Sequence, residues 1–340
     1  MYCGKAGEEG TEECFQSFAE YSDHLSDSVR KTAGDSDAVF GWLEICGYSD
    51  RYGSDQKQSE QICRIFQKIR ACRIKSWTAR LYRWFIEPIE PELISRNIDT
   101  LVIMPDGELW SVPFAAFYDG KQFLIEKYAL AVLPAIGLTE FDKSGKDEES
   151  ALMAGLSIEQ DGFEALANVE KELSDIKSVM GGRLLMNQEY TSVNLEAEFR
   201  RQEYAHLVMS THGVFGGSPQ DTYLLAYGSR LTMNDLERLI GLGQFRETPL
   251  DLLTLSACET ALGDERAMLG LGGIAVKAGA KTALATLWKV SDDSTSVLTR
   301  EFYRQLKTRK VSKAQALRNA QMKLIADSRY EHPFSGRRFC

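Results

Sequence analysis

From Asp99 onward the chain alternates short apolar runs, rich in β-branched residues, with stretches of helical period. That alternation predicts βα units: an α/β fold with a mainly parallel sheet and helices on both faces. The predicted strands are 101–104, 129–133, 151–154, 206–210, 252–256 and 282–287, and the predicted helices are 168–180, 193–202, 231–240, 267–278, 294–306 and 312–326. Asp106-Gly107 and Asp119-Gly120 read as hairpin turns, and the polar run 143–150 as an exposed loop.

Upstream the pattern changes. Ile62, Ile65, Phe66 and Ile69, then Leu81, Trp84 and Phe85, keep a helical period until Glu87-Pro88-Ile89-Glu90-Pro91 stops it. The Arg/Lys face of this helix reads as solvated rather than membrane-bound, because the adjoining acidic segment can neutralise it. Residues 1–58 are acidic and rich in Gly and Ser, with apolar stretches no longer than Phe40-Gly41-Trp42-Leu43 and no sustained period. The expected division is therefore an acidic, weakly structured leader at 1–58, a helical lead-in at 59–95 and an α/β domain at 96–340. No internal repeat is visible.

Composition narrows the picture in two ways. With 49 Asp+Glu against 40 Lys+Arg, a pI near 5.2 and a net charge of −9, the overall balance argues against nucleic acid as the main ligand, which needs a basic face, while a local basic patch stays compatible with it. The seven cysteines are odd in number and form no CxxC pair, which points to reduced thiols in a cytoplasm and away from a disulfide scaffold. No N-terminal signal pattern occurs, and no apolar run reaches the ~18 residues of a membrane span.

In parallel α/β sheets the functional groups collect at the carboxyl ends of strands. Two predicted strands end in reactive residues: His206-Leu-Val-Met-Ser-Thr211 leads to His212-Gly213, and Leu252-Leu-Thr-Leu-Ser-Ala257 leads to Cys258-Glu259-Thr260. The interval between them leaves room for one helix, so the two strands can lie side by side. A thiol and an imidazole so placed make a dyad in which His212 takes the thiol proton and frees the thiolate nucleophile. Gly213 lets the backbone approach a substrate, and the N–H groups of Gly213 and Cys258 are candidates for an oxyanion hole. Acyl transfer from a peptide bond is the reaction implied. Taken singly, such a His is more often a structural residue and such a Cys a small buried hydrophobe; the pair at two strand ends is what carries the reading. His206 opens its strand, at the opposite end, and reads as structural.

The stretches Ser210-Thr-His-Gly213 and Leu255-Ser-Ala-Cys-Glu-Thr-Ala-Leu-Gly-Asp264 resemble the two signature motifs of the CHAT family, caspase-like peptidase domains of the clan of caspases and separases, often fused to TPR repeats in bacteria. Leu81 to Pro91, Val102 to Ala116, Leu269 to Gly273, Ala278 to Ala280 and Ala285 to Asp293 are similar to further segments of that family, in order, so that the resemblance runs from roughly 78 to 335. It implies a caspase-like fold over 96–340, a protein or peptide substrate, Cys258 as nucleophile and His212 as catalytic base. The spacing agrees with the caspase pattern of a His about 50 residues upstream of the Cys, although Ser256 stands where caspases have Gln. Asp292 and Asp293 are candidates for a pocket that prefers Lys or Arg; the competing role is capping a helix that starts near Ser294. Family members commonly end in an apolar strand after His-Pro-Phe/Tyr, whereas here His332-Pro-Phe-Ser335 runs into Gly-Arg-Arg-Phe-Cys340, so that strand is expected to be missing and a sheet edge unpaired. The N-terminal part shows no ~34-residue TPR period.

Other motifs fail on inspection. Gly-Ala-Lys281-Thr282 lacks phosphate-loop spacing, Leu269–Gly273 lacks dinucleotide spacing, and neither HExxH nor Gly-x-Ser-x-Gly occurs. The expectation is a cytoplasmic cysteine endopeptidase that needs no cofactor or metal, acts on a protein substrate and answers to a regulatory partner such as a TPR-type protein. The rival is the same fold used as a non-catalytic interaction platform.

Overall fold

The computed structural model describes residues 2–3, 75–105, 109, 112–133, 150–214, 222–242, 250–257, 279–285, 292–307, 311–327 and 329. The chain divides into two units, residues 3–74 and residues 75–340 with 1–2. The leader apart from residues 2–3, and the first half of the lead-in helix, thus lie outside the described residues, as do the predicted helix 267–278, the turn at Asp106-Gly107, most of the loop 143–150 and the segment from His332 onward. Helix α1 covers 75–85 and stops before Glu87-Pro88, as its sequence requires; α2 (Glu90–Ser95) restarts with Pro91 in its first turn.

The centre is a five-stranded sheet, all parallel. Strand β1 (Tyr2–Cys3) has two residues, and β2 (Thr100–Ile103) and β3 (Ala129–Val132), which lie outside the main sheet, pair in parallel and are linked through the short helix α3 (Leu124–Lys127). The main sheet consists of β4 (Ala151–Gly155), β5 (Arg183–Met186), β6 (His206–Thr211), β10 (Leu252–Ala257) and β11 (Ala283–Ala285), in the order β11-β10-β6-β4-β5. Between β6 and β10 the chain forms an antiparallel ribbon of β7 (Gly213–Val214), β8 (Tyr223–Ala226) and β9 (Ser229–Thr232). Helices α4 (Val169–Met180), α5 (Ser192–Arg201), α6 (Met233–Gly241), α7 (Asp292–Leu306) and α8 (Lys313–Ala326) complete the layers. Each lies within two residues of its predicted position.

Period-two alternation assigns the two faces. Leu207, Met209, Leu253 and Leu255 join one buried cluster with Leu195 and Phe199 of α5 and Leu236 and Leu239 of α6. Their neighbours Val208 and Leu252 join another, with Leu173 and Ile176 of α4 and Leu298 and Phe302 of α7. The sheet is therefore covered on both faces, and its strands read as near-continuous apolar runs for that reason.

Five of the described strands are absent from the sequence reading: β1, β5, β7, β8 and β9. β5 carries no β-branched residue and, at the sheet edge, buries only Leu185. It is set by the glycines before it: Gly181 and Gly182 have φ of +72° and +92°, and a Cβ on Gly182 would sit 2.0 Å from the Ala151 carbonyl oxygen. β7, β8 and β9 are only two to four residues long, and a turn at Tyr227-Gly228 joins β8 to the mostly polar β9. Thr232 caps α6 through a reciprocal pair with Asp235, which moves that helix start to Met233. Among the described residues no helix is long and apolar enough to cross a membrane.

Candidate active site

β6 and β10 are direct neighbours and end level. Their register runs from Leu252 opposite His206 to Ala257 opposite Thr211. His212 is the next residue after β6, and Cys258 is the next residue in the chain after β10. Parallel neighbours stand about 4.8 Å apart, so strands that stop in the same register deliver their following residues from adjacent points. Cys258 itself, with its N–H, lies outside the described residues.

His212 is half-buried and oriented by a loop. Its Nε2 lies 2.7 Å from the backbone oxygen of Glu164, and its ring packs on Phe163 with centroids 5.1 Å apart. A carbonyl oxygen only accepts, so Nε2 carries a proton whether the ring is neutral or charged. Nδ1 is then the atom that gains and loses the second proton.

The loop between β4 and α4 that supplies these partners is built with care for its shape. Asp161 and Gly162 have φ of +53° and +83°, and Gln160 and Phe163 exchange both backbone hydrogen bonds across them, 3.2 and 2.9 Å. This is a two-residue hairpin turn, for which Asp-Gly is a favoured pair. The Gln160 side chain anchors it to the β8–β9 turn: Nε2 donates to the Ala226 oxygen and Oε1 accepts from the Gly228 N–H, both at 2.9 Å. The sequence reading gives this loop no role, although Asp161-Gly162 is the signal that would have found it.

Gly213 is buried and pairs with Leu224. The Leu225 N–H donates to the His212 oxygen at 2.9 Å, which makes Gly213 and Leu224 a pair without mutual hydrogen bonds. The N–H of Gly213 therefore points away from β8. Asp292 and Asp293 stand in the first turn of α7, two residues earlier than the expected start at Ser294, and Asp293 is exposed. A carboxylate there also complements the positive end of the helix. The β4–α4 loop, whose Glu164 oxygen and Phe163 ring meet His212, also exposes Glu159, Asp161 and Glu164, which gives that loop an acidic rim. His206, at the far end of β6, is buried with its ring edge-on to Tyr303 at 6.1 Å.

The model of the CHAT domain family matches residues 76–335. Among solved structures, the chain is similar to the Arg-specific cysteine proteinase gingipain R, with 11% identity over 78% of this chain and 66% of that one and a TM-score of 0.48. A complex of the pro- and mature domains of RgpB from Porphyromonas gingivalis gives 9% identity, the same coverage of 78% and 66%, and a TM-score of 0.45. A protein of Geobacter sulfurreducens gives 12% identity over 47% of this chain and 81% of that one, with a TM-score of 0.29. The chain thus spans just under two thirds of the gingipain chains. No curated protein matches it.

Proposed function

Since the chain belongs to the CHAT domain family, we propose that it is a cysteine endopeptidase working through Cys258 and His212. The observation that carries this reading is the level ending of β6 and β10, whose last paired residues immediately precede His212 and Cys258. The Cys258 thiol gives its proton to His212 Nδ1, and the thiolate attacks the carbonyl carbon of a peptide bond. The oxyanion formed is held by the N–H of Gly213, which the ribbon leaves free of β8, and by that of Cys258. Collapse of the tetrahedral intermediate expels the amine, which takes the proton from Nδ1, and water then hydrolyses the thioester with the same imidazole as base. The Glu164 carbonyl keeps the ring turned throughout. The acidic rim and the carboxylates of Asp292 and Asp293 favour a Lys or Arg side chain beside the cleaved bond, and regulation by a protein partner in the cytoplasm suits such an enzyme.

A peptidyl probe with a thiol-reactive head tests this. Labelling should map to Cys258 and vanish in Cys258→Ala and in His212→Ala. Labelling that persists in His212→Ala overturns the dyad. Equal turnover of Lys/Arg, Asp and apolar peptide libraries removes the acidic pocket.

A further inference from the structure

Helix α4 has one residue out of character with its own pattern. Its buried stripe is Val169, Glu172, Leu173, Ile176 and Met180, the spacing of an apolar helix face, and Glu172 is 1% exposed. The carboxyl group faces the sheet, where its Oε2 accepts from Ser210 Oγ at 2.9 Å and, more weakly, from Ser256 Oγ at 3.4 Å. Ser210 and Ser256 stand opposite one another on β6 and β10, and each lies two residues before a member of the dyad.

Stability alone does not explain an acid at this place. A buried polar group is penalised unless it is hydrogen-bonded, and apolar replacements of similar volume at such positions are often neutral or stabilising. Among the described residues the ladder between β6 and β10 runs to Thr211 and Ala257, so Ser210 and Ser256 are its last described pair on the face that α4 covers. Glu172 gathers the last inward-facing pair onto one oxygen from below.

We propose that Glu172 is a positioning residue: by accepting from Ser210 and Ser256 together, it fixes the ends of β6 and β10 and with them the separation of His212 and Cys258. This rests on the peptidase reading. Its action is that of an acceptor in a fixed place, and it follows that glutamine, of the same shape and with an acceptor oxygen, should serve.

The test is the rate of Cys258 alkylation by iodoacetamide in the full chain, followed from pH 5 to 9 and separated from the other cysteines by peptide mass mapping. Wild type should react with an acid-shifted, His212-dependent profile. Glu172→Met, folded by circular dichroism, should lose about tenfold or more of that rate, as expected when reacting groups are displaced by a fraction of an ångström. Glu172→Gln should keep the rate to within about threefold and leave the midpoint where it is. Ser210→Ala combined with Ser256→Ala should reproduce the loss, and decides the matter if the Met variant does not fold. A folded Met or double-Ala variant with the wild-type profile overturns the proposal, and so does a midpoint shifted in Glu172→Gln, which would mean that charge is what matters. If wild-type Cys258 itself titrates as an ordinary thiol indifferent to His212, the peptidase reading fails first, a result distinguishable from the others.

Discussion

The two faces of the main sheet are made from the same strands yet built on different principles. On one face, β6 and β10 present Leu207, Met209, Leu253 and Leu255 to an apolar and aromatic cluster, and a buried hydroxyl enters at the strand end, where Thr211 Oγ1 donates to the Leu225 oxygen. On the other, the alternate positions are His206, Val208 and Ser210 on β6 and Leu252, Thr254 and Ser256 on β10, so that buried polar groups run the length of both strands. These are met from the covering helices: Thr254 Oγ1 and the Tyr303 hydroxyl of α7 lie 2.7 Å apart, and Glu172 of α4 takes the two serines. Apolar burial is non-directional and tolerates sliding, whereas a buried hydrogen bond is satisfied at one place only. The first face supplies cohesion; the second sets where α4 and α7 sit relative to the strand ends that carry the site.

The largest difference between the faces should appear on removing volume. Leu253→Ala leaves a cavity in the first face and should destabilise by about 2–5 kcal/mol in urea unfolding, with the Cys258 reactivity of the folded molecules unchanged. A loss of reactivity in step with stability would show that the faces are not separable. On the second face, Thr254→Val strands the buried Tyr303 hydroxyl, and the expected loss is about 1–3 kcal/mol. Adding Tyr303→Phe should recover most of it, because an apolar pair of the same shape leaves nothing unsatisfied. Strict additivity of the two substitutions would remove the coupling on which the comparison depends.

This difference between faces also decides what the sequence makes legible. The central strands and the five longer helices are readable because both sheet faces are buried: runs such as Leu207-Val-Met209 and Leu252-Leu253 are apolar whichever way they alternate, and α4 to α8 show one packed stripe each. The juxtaposition of β6 and β10 is readable for the same reason, and with it the approach of His212 toward the end of the Cys258 strand. What escapes is local polar geometry. The loop that orients His212 acts through a backbone oxygen of Glu164, which no residue identity reports, and through a Gln160 amide whose partners, Ala226 and Gly228, are distant in sequence. Glu172 is visible in the sequence as a charge on an apolar stripe, but its meaning depends on Ser210 and Ser256, which only the register brings together.

The helices over the second face are also stitched to each other by charge, and acid should undo that. Asp175 of α4 meets Arg300 of α7 at 2.9 Å, and Glu301 of α7 meets Lys323 of α8 at 2.8 Å and Arg304 of its own helix. Burial by itself would raise the Glu301 carboxyl, but the hydrogen bonds from Arg304, Lys323 and Gln305 outweigh it and hold its pKa at about 2, below the ordinary 4.5. A depressed carboxyl stabilises the fold fully above its unfolded pKa, and loses that contribution as pH falls from about 4.5 toward 2. Both cations are more than half exposed, so screening limits the effect to about 1–2 kcal/mol. The difference in unfolding free energy between wild type and Glu301→Gln should therefore shrink as pH drops from 7 to 3. A difference that does not change with pH would assign the stabilisation to packing.

The smallest expected change in stability falls where the two faces meet. Ile158 and Phe163, in the β4–α4 loop, pack against the first cluster and Leu166 against the second, so this loop joins both layers beside His212. Gly162 stands at φ +83° with nothing within 4 Å of the position a Cβ would take. Gly162→Ala thus meets no neighbour, and its direct cost is the backbone strain of a left-handed residue, about 1 kcal/mol. Released from the Asp-Gly turn, the loop no longer holds the Glu164 oxygen on Nε2, and His212 can turn. The melting temperature should move by only a few degrees, while the His212-dependent alkylation of Cys258 should fall by a larger factor than the stability loss alone would give. A variant that loses stability but keeps the wild-type pH profile of alkylation would show that the ring is oriented from elsewhere, through Phe163 packing or the strand end itself.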